Sequence, residues 1–145
     1  MRLVIQRVSM AKVTMENSIL GEIQKGLLIL VGITTGDTVE KAAWLAEKAA
    51  SLRIFPDSNG KMNLDVVEAK GEILVVSQFT LYGDCSKGRR PSFINAARPE
   101  IAEPLYEHFI QKLKLLGIRT HTGKFGVDMK VELVNDGPVT LVVDA

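Results

Sequence analysis

The first 33 residues confine the chain to a small set of folds. Arg2 to Ser9, Ala11 to Met15, Ile19 to Ile23 and Gly26 to Ile33 are each rich in Val, Ile and Leu, the composition of buried or half-buried strands. Short polar turns such as Glu16-Asn17-Ser18 separate them, so the pattern reads as an antiparallel meander. From Asp37 the period changes. Val39, Ala42, Ala43, Ala46, Ala49 and Ala50 recur at helical spacing, with Leu45 and Leu52 widening the stripe and Asp37 or Thr38 as N-cap. This helix is expected to end near Ile54, before Phe55-Pro56-Asp57-Ser58-Asn59-Gly60, which is turn chemistry throughout.

The second half supplies fewer strands. Glu72 to Phe79 is apolar at Ile73, Leu74, Val75 and Val76 and reads as a strand, and Tyr82 to Pro91 is a polar loop without periodicity. A second helix carries Ala102, Leu105, Tyr106, Phe109, Leu113 and Leu116 on one face. Pro104 fits only its first turn, and Gly117 stops it. Val127 to Val134 and Val139 to Val143 then flank Asn135-Asp136-Gly137-Pro138, a hairpin-like connection. Strands outnumber helices without repeats, linkers or low-complexity tracts. The expectation is one α+β domain over residues 1–145, a curved antiparallel-rich sheet or small β-barrel with two helices packed on it.

Composition narrows the function mainly by exclusion. The longest apolar stretch, Leu27 to Ile33, is far short of the roughly 18 residues that span a bilayer, so no membrane association is expected. A lone cysteine, Cys85, and two histidines leave too few ligands for a Cys/His metal cluster. They imply a reducing, cytoplasmic setting with neither metal nor cofactor. The formal net charge of +1 does not by itself point to a nucleic-acid partner.

Familiar catalytic motifs are absent, and a Ser/His or Cys/His nucleophilic pair stays open only through proximity in space. There is no GxSxG elbow, no GxxxxGK[ST] phosphate loop and no HExxH pair. His108 falls within the second helix and His121 in a threonine- and glycine-rich stretch. What stands out is Ser77-Gln78-Phe79-Thr80, where an apolar strand stops and hydrogen-bonding side chains follow at once. Such groups either cap a sheet edge or line a cleft. Gly137-Pro138 is either an ordinary turn or a device, since X-Pro is the common route to a cis peptide. Lys87-Gly88-Arg89-Arg90-Pro91, continued by Arg98, Lys124 and Lys130 with Phe93 and Phe125 interleaved, is a solvated loop or a patch that holds phosphates and stacks a base. A noncatalytic RNA-binding module built on that patch is the alternative to an enzyme. Arg7 shares the face of Leu3 and Ile5 and therefore points inward or towards an interface.

Together these segments resemble the D-aminoacyl-tRNA deacylase family. The resemblance spans the chain: Met1 to Val8, Leu52 to Phe55, Gly60 to Asn63, the Ser77 to Leu81 stretch that matches an SQFTL signature, Gly88 to Phe93, Gly123 to Gly126, and Asn135 to Thr140. It implies hydrolysis of the ester of D-aminoacyl-tRNA, and of glycyl-tRNA mischarged on tRNA-Ala. It also implies a homodimer with active sites at the interface. By the same resemblance Ser77, Gln78, Phe79 and Thr80 line each pocket, and Gly137-Pro138 of the other subunit enters it as a cis peptide. Arg7 fixes that backbone, and Phe125 and Met129 lie near the 3′-terminal adenosine. Backbone N–H donors near Phe79 and Thr80 would stabilise the oxyanion, and the ribose 2′-hydroxyl would activate water. Thr80 as a direct nucleophile is the competing mechanism.

Overall fold

A computed structural model describes all of residues 1–145. Strands β1 (Arg2–Met15), β2 (Ser18–Ile23) and β3 (Gly26–Gly32) precede helix α1 (Val39–Ser51). A two-stranded hairpin, β4 (Phe55–Pro56) and β5 (Met62–Leu64), leads to β6 (Glu72–Ser77) and a 3₁₀ turn over Phe79–Tyr82. Helix α2 (Pro99–Leu115), β7 (Thr120–Thr122) and β8 (Lys130–Asp144) complete the chain. The main sheet runs β2-β1-β3-β6-β7, with β8 on the other side of β1. It curls until β2 lies beside β7: a Cβ on Gly21 would stand 3.0 Å from the Thr122 carbonyl. The result is a nearly closed, barrel-like sheet carrying two helices.

The expected meander is instead one long hairpin, because β2 and β3 pair in turn with the two halves of β1 and not with each other, and the sheet is mixed, because β3–β6 and β6–β7 pair in parallel. Each parallel pair is joined through a helix, α1 or α2, the long crossover that such pairing requires. Strands β3 and β6 are consequently buried on both faces. Leu27, Ile29, Ile73 and Val75 meet the helices. Their alternating neighbours Leu28, Leu74 and Val76 join Val8, Ala11, Val13 and Ile23 inside the curl. Alanines at 42, 46 and 49 form the buried stripe of α1 with Leu45, whereas Val39 is exposed. Thr38 is the N-cap, accepting from the Lys41 N–H at 3.4 Å. On α2 the buried face includes Leu105, Tyr106, Phe109 and Leu113.

Several boundaries differ from the sequence pattern for identifiable reasons. The two expected strands Arg2 to Ser9 and Ala11 to Met15 are one strand, whose inward phase slips between Val8 and Ala11 at a register shift against β8. α1 stops at Ser51 rather than near Ile54, and Phe55-Pro56 enters a short strand instead of a turn. β6 ends at Ser77, since Phe79 opens the 3₁₀ turn. Pro99 occupies the start of α2, so Pro104 lies beyond the first turn, and Leu116 is partly exposed. The last expected hairpin does not exist. Residues 130–144 form one strand antiparallel to β1 throughout, with Gly137-Pro138 in a bulge along it.

Candidate functional site

β6 ends at Ser77, which is paired with Val31 of β3 in the parallel ladder. The Gln78 N–H still reaches the Val31 carbonyl at 2.8 Å, after which the chain turns sharply. Leu81 N–H bonds the Gln78 carbonyl at 3.3 Å and Gly83 N–H the Thr80 carbonyl at 2.9 Å, closing the 3₁₀ turn. The opening N–H groups of such a turn, those of Phe79 and Thr80, have no earlier carbonyl of the turn to bond. Gln78 Nε2 donates to Thr80 Oγ1.

This turn forms one wall of a cavity of about 650 Å³. Ser77, Gln78, Phe79 and Thr80 stand on that wall, and Phe125 and Met129 line the same space. The polar strand end therefore borders a cavity. Phe79 is 58% exposed and meets Phe93 edge-on, with ring centroids 5.3 Å apart. Phe125 of that lining is backed by α2 and β6. Tyr106 donates its hydroxyl to the Val75 carbonyl at 3.0 Å, and that carbonyl also accepts the Gly123 N–H at 3.1 Å. Its ring packs on Phe125 at 5.7 Å. Burial pushes the Tyr106 phenol well above its ordinary range, so it remains a neutral donor. Met129 folds back over Gly123, where a Cβ would come within 2.6 Å of its sulfur, and the Lys124 N–H points at that sulfur from 3.3 Å.

Gly137, Pro138 and Arg7 do not line this cavity. They lie together elsewhere: Gln6 pairs with Thr140 and Val8 with Asn135, so Arg7 alone faces residues 136–139 of β8. The buried Arg7 guanidinium bonds the Asp136 carbonyl at 3.2 Å, the Asp136 carboxylate at 2.9 Å and the Ile54 carbonyl at 2.5 Å. Asn135 Nδ2 bridges the bulge by donating to the Arg7 and Val139 carbonyls at 2.9 and 3.1 Å. The Gly137–Pro138 bond is cis, and both residues are exposed.

Neither histidine lines the cavity, nor does Cys85. His121 approaches only Glu72, at 3.9 Å. No three His, Cys, Asp or Glu side chains gather to hold a metal, and no helix is long and apolar enough to cross a membrane. The other large depression, about 510 Å³ beside Trp44, Lys48 and Leu116, lacks the polar strand end. The supporting roles of Tyr106 and Gly123 were not legible beforehand. A tyrosine on an otherwise apolar helix face was the available signal for the first.

The sequence model of the D-Tyr-tRNA(Tyr) deacylase family matches residues 4–144. The chain belongs to the D-aminoacyl-tRNA deacylase family. A D-aminoacyl-tRNA deacylase of Geobacillus sp. (strain WCH70) is 59% identical over 145 residues, covering 100% of this chain and 95% of that relative. One from Fusobacterium nucleatum subsp. nucleatum is 56% identical over 144 residues, covering 99% and 95%. Among solved structures, one described as c-Myc DNA Unwinding Element Binding Protein superposes with a TM-score of 0.92 at 38% identity, covering 100% of this chain and 99% of the other. A probable eukaryotic D-amino acid tRNA deacylase gives a TM-score of 0.86 at 17% identity, covering 99% and 98%, a likeness of fold. Membership of the deacylase family thus rests on nearly the whole chain rather than on the Ser77 to Leu81 signature alone.

Proposed function

We propose that the chain hydrolyses the ester between a D-amino acid and the 3′-terminal adenosine of tRNA, in the cytoplasm, releasing free D-amino acid and tRNA. The observation that carries this reading is the cavity: it joins the Ser77–Thr80 strand end to Phe125 and Met129 and contains no histidine or cysteine. An aryl and thioether wall suits a nucleobase, and the polar wall suits the ester. The N–H groups of Phe79 and Thr80 are the donors for the oxyanion that forms when water adds to the ester carbonyl. One such donor contributes about 3 kcal/mol. Water delivers its oxygen to the carbonyl carbon, the bond to the ribose 3′-oxygen breaks, and that oxygen leaves protonated. The neighbouring 2′-hydroxyl is the group placed to relay the proton. Thr80 has a donor, Gln78 Nε2, on its hydroxyl oxygen rather than a base, which disfavours it as the nucleophile.

The homodimer reading draws support from β8. It pairs only with β1, and Val131, Val134 and Val142 stand exposed on it, an edge of the kind that proteins cover. The exposed Gly137-Pro138 bulge, fixed by Arg7 and Asn135 on its own subunit, then has a rigid backbone to present to the partner's cavity. If its carbonyls hold the substrate's α-amino group and stand where an L side chain would project, L-esters are excluded sterically. Glycine, with no side chain, is accepted, which accounts for glycyl-tRNA mischarged on tRNA-Ala as a second substrate.

The test of the activity is direct. Purified protein is expected to release D-tyrosine from D-tyrosyl-tRNA, and an ester that outlasts incubation with excess protein would overturn the reading. Within it, Thr80→Ala is expected to retain most activity, and a substrate ending in 2′-deoxyadenosine to be nearly inert. A Thr80→Ala rate down by about 10⁴ with binding intact supports covalent catalysis instead.

A further inference from the structure

The arm between Asp84 and Ser92 is fastened to the cavity at its base. Asp84 N–H bonds the Ser92 carbonyl at 2.8 Å, and Ser92 N–H bonds the Asp84 carbonyl at 2.9 Å. Immediately beyond, Phe93 sits edge-on against Phe79. Gly83 leaves that contact room, because a Cβ there would stand 2.9 Å from the Phe93 ring and 3.0 Å from the Thr80 carbonyl. The arm therefore springs from the same 3₁₀ turn that walls the cavity.

Its charge is one-signed and unspent. Residues 85–98 contain Lys87, Arg89, Arg90 and Arg98 and no Asp or Glu. All four are exposed, and none forms an ion pair. Elsewhere Arg2, Arg7, Lys12, Lys41, Lys112 and Arg119 each hold a carboxylate. The nearest acid, Asp84, turns back to accept the Ser86 N–H at 2.9 Å. Arg98 lines the cavity together with Asp128, so the last cation of this segment stands in the cavity wall. A partner that fits has closely spaced negative charges along a strand leading into the cavity.

We propose that the Cys85–Pro91 arm grips the phosphates of the 3′-terminal strand of the tRNA, with Phe93 and Arg98 at the point where that strand enters the cavity. This rests on the functional reading above and adds how the nucleic acid, as opposed to its terminal nucleoside, is held. Single-strand contacts each contribute a slope of about 0.7 to the dependence of log affinity on log salt. Three arm cations therefore account for a slope of about 2.

The experiment compares wild type with a Lys87→Gln, Arg89→Gln, Arg90→Gln triple variant on two esters, D-tyrosyl-tRNA and D-tyrosyl-adenosine, across a potassium chloride series. The second ester has no phosphate. The variant is expected to lose about tenfold or more in kcat/KM on the tRNA at low salt, chiefly through KM, with the salt slope shallower by about 2. Its rate on D-tyrosyl-adenosine is expected to equal wild type. An unchanged tRNA slope, or an equal loss on both esters, overturns the proposal. Should wild type hydrolyse neither ester, the functional reading fails by itself. The arm is then judged on filter binding of uncharged tRNA, where a slope unaltered by the triple variant overturns it and a slope reduced by about 2 sustains phosphate binding.

Discussion

Arg7 connects the fold to the proposed selectivity, and Arg7→Met isolates that connection. Methionine keeps an unbranched apolar stem in the space of the arginine, so little packing is lost. What disappears is the guanidinium that is 8% exposed and tied to Ile54, Asp136 and the bulge backbone. The Ile54 carbonyl loses a charged donor, and an unmet buried acceptor costs about 1–3 kcal/mol. The pair with the Asp136 carboxylate, 50% exposed, contributes below about 1 kcal/mol, because that carboxylate returns to water. The sum is about 1–4 kcal/mol, and its central value of about 2 kcal/mol at a mid-range urea slope of about 2 kcal/mol/M moves the midpoint down by about 1 M. Since Arg7 and Asn135 are the groups that fix residues 135–139, D-tyrosyl-tRNA hydrolysis is expected to fall at least about tenfold under conditions where the variant is fully folded. Asp136→Asn serves as the control: it keeps the carbonyl contact and is expected to shift stability by less than about 1 kcal/mol. An Arg7→Met protein as stable as wild type, or one destabilised as stated yet fully active when folded, refutes the reasoning.

Gly123→Ala drives a methyl to 2.6 Å from the Met129 sulfur; it is expected to raise KM for D-tyrosyl-tRNA several-fold with kcat little changed, and an unaltered KM removes Met129 from the substrate wall. Tyr106→Phe leaves the Val75 carbonyl its Gly123 N–H, so urea unfolding is expected to register a loss of about 1 kcal/mol, and a loss above about 3 kcal/mol would contradict that shared arrangement. Burial, the largest cause, pushes the Tyr82 phenol up to about 12 from 10.0, and Tyr106 is raised further. The unfolded chain releases these protons first, so the tyrosine contribution to stability is complete below pH 10 and is lost as pH rises towards 12. Phenolate absorbance appearing near pH 10 in the folded protein contradicts this burial.

The sequence was most legible where one periodicity governs a segment. The alanine stripe of α1 and the apolar face of α2 follow from helical spacing alone, and β3 and β6 from their continuous apolar runs. It misled where a strand changes partners or phase. Ser9 and Met10 look like a break because the buried positions slip by one, yet pairing with β8 continues across them. Asn135-Asp136-Gly137-Pro138 has turn composition, but Arg7 bonds its Asp136 carbonyl and the Asn135 side chain bridges the Arg7 and Val139 carbonyls across a bulge, and the chain does not reverse. For the site, Ser77 to Thr80 announces itself as polarity at the end of an apolar strand. The Tyr106–Val75–Gly123 support depends on contacts between residues far apart in the chain and has no local pattern.

The central claim, that this cavity removes D- but not L-amino acids from tRNA, is tested most directly by single-turnover deacylation of D-tyrosyl-tRNA and L-tyrosyl-tRNA made from the same tRNA, at equal excess of protein. The account predicts rapid loss of the D ester while the L ester decays at the rate seen without protein. Equal acceleration of the two esters would contradict it.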